Sequence, residues 1–390
     1  MKKRFLSAGL AVVMAASLTA CGGSGSASTT TAAAGEAKAE GESKAAESSA
    51  AADGAVFKIG GIGPVTGGAA VYGLAVQHGA EIAVKEINEA GGINGYPVEF
   101  QFQDDEHDAE KSVNAYNTLK DWGMQALIGT TTSTPCTAVV EETHSDNMFQ
   151  LTPSATAVDS IQYDNAFRMC FSDPNQGSAS ADYIAENKLA TKVAIIYNSS
   201  DTYSSGIYQT FATEAKAKGL DVVAAEAFTA DNKTDFSVQI QKAKDAGAEL
   251  VFLPIYYQEA SLILAQANKA GFTPKWFGCD GMDGILDLDG FDASLAEDLM
   301  FLTPFTANAT DEATQKFVAD YKEAFGDTPI QFAADAYDCV YVIKAAAEKE
   351  DVTPDKSVSD ICDALKKGMT EITYDGLTGK SITWSEDGEP

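Results

Sequence analysis

The chain has 390 residues, with 57 acidic against 27 basic side chains, a net charge of −30 and 45% hydrophobic content. Such an acidic surface argues against nucleic acid and anionic membrane as partners, because both are bound through basic patches that displace counterions. It reads instead as a solvated, self-repelling coat on a monomer. Arginine occurs only at Arg4 and Arg168, so no cluster of guanidinium forks is available to clamp phosphates or dicarboxylates.

In chain order, Lys2, Lys3 and Arg4 precede an apolar run from Phe5 to Leu18 that ends in Leu18-Thr19-Ala20-Cys21. A charged start, a short apolar stretch and small residues predict a cleaved export signal over residues 1–20, too short for a stable membrane span. The cysteine context resembles the lipobox of bacterial lipoproteins. That resemblance implies a lipid on Cys21 and an extracytoplasmic protein anchored to the cell membrane. Residues 22–54 contain no large apolar side chain, so they cannot offset the entropy of ordering. Residues 21–55 are therefore expected to form a tether, holding a domain roughly 30 Å from its anchor.

From Phe57 onward apolar strands alternate with amphipathic helices. Strands are predicted at 57–62, 97–103, 126–128 and 148–151, and helices at 72–90, 108–122 and about 135–145. After Asn175-Gln176-Gly177 the alternation restarts. Helices are predicted near 179–187 and at 204–218, 236–246 and 259–270, with strands at 193–197, 222–227 and 250–253. Further helices are expected at 312–325, 333–348 and 358–367. The βαβα beat implies parallel sheets covered on both faces, and its restart implies two doubly wound α/β lobes side by side.

Several catalytic and metal patterns fail on inspection. Gly60-Gly61-Ile62-Gly63 is followed by Thr66 where a dinucleotide fingerprint needs glycine, and Gly379-Lys380-Ser381 has Tyr374 where a P-loop needs its first glycine. Asp287-Leu288-Asp289-Gly290 lacks the remaining ligands of an EF-hand loop. Asp104-Asp105-Glu106-His107-Asp108 lies between a strand and a helix whose start favours an acidic cap, a simpler reading than a metal site. His78, His107 and His144 show no zinc-protease spacing, and no nucleophile elbow is present. No catalytic residue, metal or cofactor is therefore assigned. Cys136, Cys170, Cys279, Cys339 and Cys362 contain no C-x-x-C pair; export permits disulfides, and spacing does not select them.

The positive pattern is hydroxyl-rich. Thr130-Thr131-Thr132-Ser133-Thr134-Pro135 joins a strand end to a helix start, and Thr152-Pro153-Ser154-Ala155-Thr156 follows the next strand. In a doubly wound sheet both loops fall on the carboxyl edge, where ligands bind, and a helix N-terminus offers N–H groups to an anion. Caps and turns account for the same residues equally well.

Taken with Ile62-Gly63-Pro64-x-Thr66-Gly67, Gly91-Gly92-Ile93-Asn94-Gly95, Asp104-Asp105, Ile128-Gly129 and Asp173-x-x-Gln176-Gly177, these loops resemble the type I periplasmic binding proteins of the leucine/isoleucine/valine-binding family, the extracytoplasmic receptors of ABC importers. The resemblance runs from Phe57 to the end of the chain. It implies two lobes joined by a three-stranded hinge, with 56–173 and 303–383 in the first and 174–302 and 384–390 in the second. The crossings are expected near 173–176, 303–304 and 384–388, and the end at Pro390 suggests a truncated chain. It implies a small amino acid as ligand, a membrane permease as partner and binding residues at Tyr72, Ser133, Ser154, Ala155, Thr156, Tyr203, Tyr256 and Asp280. Ser133 would receive the carboxylate, Ser154 and Thr156 would face the ammonium, Asp280 would pair with it, and the tyrosines would cover the ligand.

Three departures bear on specificity. His107 and Thr132 stand where some relatives carry a disulfide, Asp280 is one methylene shorter than the usual glutamate, and Thr131 with Thr132 makes the wall more polar. An amide, urea-like or aromatic-acid ligand, a sensory module and an exported α/β enzyme are the alternatives.

Overall fold

The computed structural model describes residues 54–390; the expected export signal, Cys21 and nearly all of the tether lie outside the described residues. The first series runs β1 (Phe57–Gly63), α1 (Ala70–Glu89), β2 (Val98–Asp104), α2 (Ala109–Trp122), β3 (Ala126–Ile128), α3 (Ser133–Asp146), β4 (Phe149–Thr152) and β5 (Ala166–Arg168). The second runs α4 (Asp173–Glu186), β6 (Lys192–Asn198), α5 (Thr202–Ala217), β7 (Asp221–Phe228), α6 (Ser237–Asp245), β8 (Leu250–Leu253), α7 (Tyr257–Lys269), β9 (Lys275–Gly278) and β10 (Met300–Phe301). Helices α8 (Glu312–Phe325), α9 (Gln331–Lys349) and α10 (Val358–Glu371) follow.

The strands form two five-stranded sheets, ordered β2-β1-β3-β4-β5 and β10-β9-β8-β6-β7. Every pairing is parallel. Parallel sheets are covered on both faces, and β3, β4 and β8 are accordingly buried along their whole length. Helix α9 returns to the first sheet, packing along α1 and touching β3, while α10 reaches β4. Glycine permits this return, since a Cβ on Gly79 would sit 2.0 Å from the Ala333 carbonyl oxygen.

Acidic caps do the work that the sequence pattern assigned to them. Asp108 accepts from the Lys111 amide at the start of α2, and Asp104 accepts from the Val65 and Glu106 amides and from the Thr66 hydroxyl. Among the described residues no histidine, cysteine and carboxylate group is clustered as a metal site. The five cysteines from Cys136 to Cys362 are buried, unpaired thiols.

Two elements differ in kind from expectation. Helix α4 begins at Asp173 rather than near Ala179, because Ser172 caps it by accepting from the Asn175 amide and Pro174 supplies the preset first turn. The first connection between sheets therefore lies ahead of 173–176, which is helix. The closing segment 384–390, expected in the second lobe, lies against the edge of the first sheet. There the Trp384 indole donates to the Arg168 carbonyl at 2.8 Å and the Arg168 amide to the Gly388 carbonyl at 3.1 Å. Met169–Phe171, Pro304, Thr378 and Ser381–Thr383 line one groove of about 350 Å3 with the closing Glu389 and Pro390.

Candidate functional site

Each sheet reverses its strand order once, between β1 and β3 in the first and between β6 and β8 in the second. Loops leaving the carboxyl ends on either side of such a point diverge and open a crevice. Ser133 follows β3, Thr156 follows β4, Tyr203 follows β6, Tyr256 follows β8 and Asp280 follows β9.

The first-sheet side is built from backbone. Thr132 precedes α3 without a side-chain cap, so the Ser133 and Thr134 amides have no partner among the described residues, and Pro135 adds no donor. These are free N–H groups at the positive end of a 14-residue helix. The Ser133 hydroxyl oxygen accepts from the Thr156 and Ala157 amides, each at 3.2 Å. Having accepted two donors, it turns its own proton away from that loop, as a donor. Ser154 donates to the Thr131 carbonyl at 2.7 Å, and the Ala155 amide donates to Thr152 Oγ1 at 2.9 Å.

Beneath this loop lies Arg168, fully buried. It donates to the carbonyls of Thr156 at 2.6 Å and Ala157 at 3.0 Å, with longer contacts to Ala155 and Val158. The sequence showed Arg168 only as a lone cation; its role in holding four consecutive carbonyls gave no local signal.

The second-sheet side is built from side chains. Tyr203 donates to Asp280 Oδ1 at 2.7 Å, and the Gly281 amide donates to both, at 3.0 and 2.9 Å. The Tyr203 ring stacks on Tyr256 with centroids 4.9 Å apart, and Tyr72 meets Tyr256 edge-on at 5.4 Å. Burial pushes the Asp280 carboxyl up to about 6, opposed by the hydrogen bonds from Tyr203, Gln176 and Gly281. Burial likewise holds Asp173 well above the usual carboxylate range.

The first turn of α4 joins the two sides. Asp173 Oδ1 accepts from the Thr156 hydroxyl at 2.6 Å, and Gln176 Oε1 accepts from the Asp280 amide at 3.1 Å. A Cβ on Gly206 would lie 2.6 Å from Asp173 Oδ2, so glycine lets α5 close against this carboxyl. Because the Thr156 proton goes to Asp173, the free lone pairs of that hydroxyl are left to accept. Sequence reading treated Asp173 and Gln176 as a connection; their three-residue spacing on one helical face was the signal for a shared role.

The lobes touch across the crevice. Tyr72 donates to the Gly281 carbonyl at 2.5 Å and accepts from the Tyr257 amide at 3.1 Å, and Thr134 donates to Asp201 at 3.1 Å. Gln331 of α9 donates through its side chain to the Asp280 carbonyl at 3.0 Å. The eight residues singled out from sequence thus fall into two groups, Ser133 with Ser154, Ala155 and Thr156, and Tyr203 with Tyr256, Asp280 and Tyr72. Both are tied to α4. His107 and Thr132 are in contact, with Nδ1 and Oγ1 2.9 Å apart. The arrangement offers donors and a helix dipole at one end and a carboxyl with hydroxyl acceptors at the other, which complements a dipolar small molecule.

Comparison with known proteins bears on the family and the fold. The family profile described as periplasmic binding protein matches residues 56–390. Leu/Ile/Val-binding protein homolog 3 of Brucella melitensis is 31% identical over 323 residues, covering 82% of this chain and 84% of that protein. The leucine-, isoleucine-, valine-, threonine- and alanine-binding protein of Pseudomonas aeruginosa is 29% identical, covering 78% and 81%. Among solved structures, the branched-chain amino acid transporter substrate-binding protein LivJ of Streptococcus pneumoniae, in complex with isoleucine, superposes with a TM-score of 0.74 at 27% identity. It covers 86% of this chain and 93% of that one.

Proposed function

This chain belongs to the periplasmic binding protein family, and from that premise we propose that it is an extracytoplasmic receptor that closes two lobes on a small amino acid and hands it to the permease of an ABC importer. The observation that supports the reading is that the loop beside the uncapped helix N-terminus at Ser133 and the buried Tyr203–Asp280 pair are both hydrogen-bonded to the first turn of α4. The carboxylate is received by the Ser133 hydroxyl and the free amides at the start of α3, where the helix dipole favours an anion. The ammonium is received by Asp280 and by acceptors on the Ser154–Thr156 loop, and Tyr72, Tyr203 and Tyr256 cover it.

Ligand contacts from both sides favour the shut arrangement over the open one, and that difference drives hinge closure. The reading uses no cofactor and no chemical step; the relatives named above are binding proteins. Calorimetry with amino acids, and with the amine and carboxylic acid that each lack one end, tests it. Only the intact zwitterion should bind tightly, each truncation costing about 100-fold or more. Equal affinity for a truncated analogue would contradict it.

Anchoring through Cys21 belongs to the same proposal, supported by the lipobox-like context of that cysteine. Among the described residues no helix is long and apolar enough to cross a membrane. Cys21→Ala should move the protein from the membrane fraction to the soluble extracytoplasmic fraction; unchanged fractionation would count against the anchor.

A further inference from the structure

Tyr256 also borders a cavity of about 250 Å3 lined from both sides, by His107 and Thr134 of the first and by Asn198, Lys233, Tyr256 and Glu259 of the second, among others. The Tyr256 ring is shared: it stacks on Tyr203 at 4.9 Å and meets the edge of His107 at 5.4 Å. Tyr256 is thus the link between the Tyr203–Asp280 pair and this cavity, which offers space for the side chain of an amino acid held at that pair.

The lining is not aliphatic, and its charged groups already have partners within the protein. Glu259 pairs with Lys233 at 3.0 Å, Glu106 pairs with Lys111 at 2.6 Å, and Asp201 accepts from Thr134 and caps α5. Two polar ends remain without a partner among the described residues. The His107 ring is engaged only through Nδ1, which leaves Nε2. Asn198 Oδ1 accepts from the amide and hydroxyl of Ser200, which leaves Nδ2.

We infer that the ligand's side chain ends in an uncharged polar group able both to donate and to accept, an amide or a hydroxyl, held by His107 Nε2 and Asn198 Nδ2 in this cavity. The inference rests on the proposed amino-acid function and narrows it. Burial and the nearby Lys233 charge hold His107 down at about 4, so the ring is neutral at neutral pH. A neutral ring presents either a donor or an acceptor at Nε2, depending on its tautomer, and a hydroxyl or amide satisfies both. An anionic end group would face Asp201 and Glu259, and a cationic one would have to share those carboxylates with Lys233, which already lies beside them.

Calorimetry on the full chain with near-isosteric pairs reads this directly: threonine against valine, asparagine against leucine, glutamine against methionine, with lysine and glutamate as charged controls. The polar member of at least one pair should bind at least about tenfold more tightly than its partner. His107→Leu and, separately, Asn198→Ala should shrink that ratio several-fold. A merely structural defect would weaken both members together and leave the ratio unchanged, which would overturn the assignment of these residues. Tighter binding of the aliphatic member throughout, or of lysine or glutamate above all others, overturns the inference while leaving the amino-acid function standing. Silence towards every amino acid overturns both.

Discussion

On the first-sheet side the crevice is lined by amides and hydroxyls, whereas on the second-sheet side it is lined by tyrosine rings and one carboxyl. The first needs no ionised group at its surface, because a helix end and a loop pinned from beneath by Arg168 already point their dipoles inward. The second holds a carboxyl that burial has pushed up to about 6, and a ligand ammonium would restore its charge. The contrast teaches that one half is preorganised by backbone, and the other is a side-chain half whose electrostatics are completed by the ligand.

The most disruptive way to break the contrast is Arg168→Met. It leaves the carbonyls of residues 155–158 buried without their donor and should cost roughly 3 to 5 kcal/mol of stability in urea unfolding. A loss below about 1 kcal/mol would show that the loop holds itself.

Asp280→Ala attacks the other half and should weaken amino-acid binding by roughly 2 to 5 kcal/mol, since the ammonium loses its buried partner. Asp280→Asn adds a pH signature. A carboxyl whose folded value is raised binds a proton in the folded state before it does so in the unfolded chain, so its cost to the ligand-free protein is absent below about 4 and fully present above about 6. Relative to wild type, the ligand-free Asn variant should therefore gain stability as pH rises from 4 to 7, by about 1 to 3 kcal/mol. Wild-type affinity for the ligand should fall over the same window as pH is lowered. A stability difference that is flat with pH would mean that Asp280 is not the strained group.

How much of this was readable from sequence follows the same division. Periodicity located most of the helices and the longer strands, because burial writes itself into every third or second residue. It found the equally short β3 and β8 as unbroken apolar runs but missed β5, β9 and β10, where Arg168, Lys275 and Gly278 interrupt the run or only two residues pair. It misjudged the start of α4, where Asp173-Pro174-Asn175-Gln176-Gly177 has a turn-like composition and only the Ser172 cap makes it helical. In the site, the hydroxyl loops were visible as composition, although caps and turns explained them equally well. The Tyr203–Asp280 pair, 77 residues apart, was reachable only through family resemblance. Arg168 was opaque, because its hydrogen-bond partners are backbone carbonyls, which carry no residue identity, and its carboxylate partner Glu389 lies far along the chain.

The smallest expected effect lies at the seam between the halves. Thr134→Val removes the hydroxyl bond to Asp201 and should weaken binding by about 0.5 to 1.5 kcal/mol, read as a faster dissociation rate with little change in association. A changed association rate instead would place Thr134 on the entry path rather than in the closed seam.

The central claim is that one dipolar guest is held end to end between these unlike halves. A crystal structure with the best-binding amino acid tests it most directly. The account predicts the carboxylate within hydrogen-bond distance of the Ser133 hydroxyl and the Thr134 amide, and the ammonium within hydrogen-bond distance of Asp280. A ligand seated with its carboxylate towards Asp280, or bound by one side of the crevice alone, would contradict it.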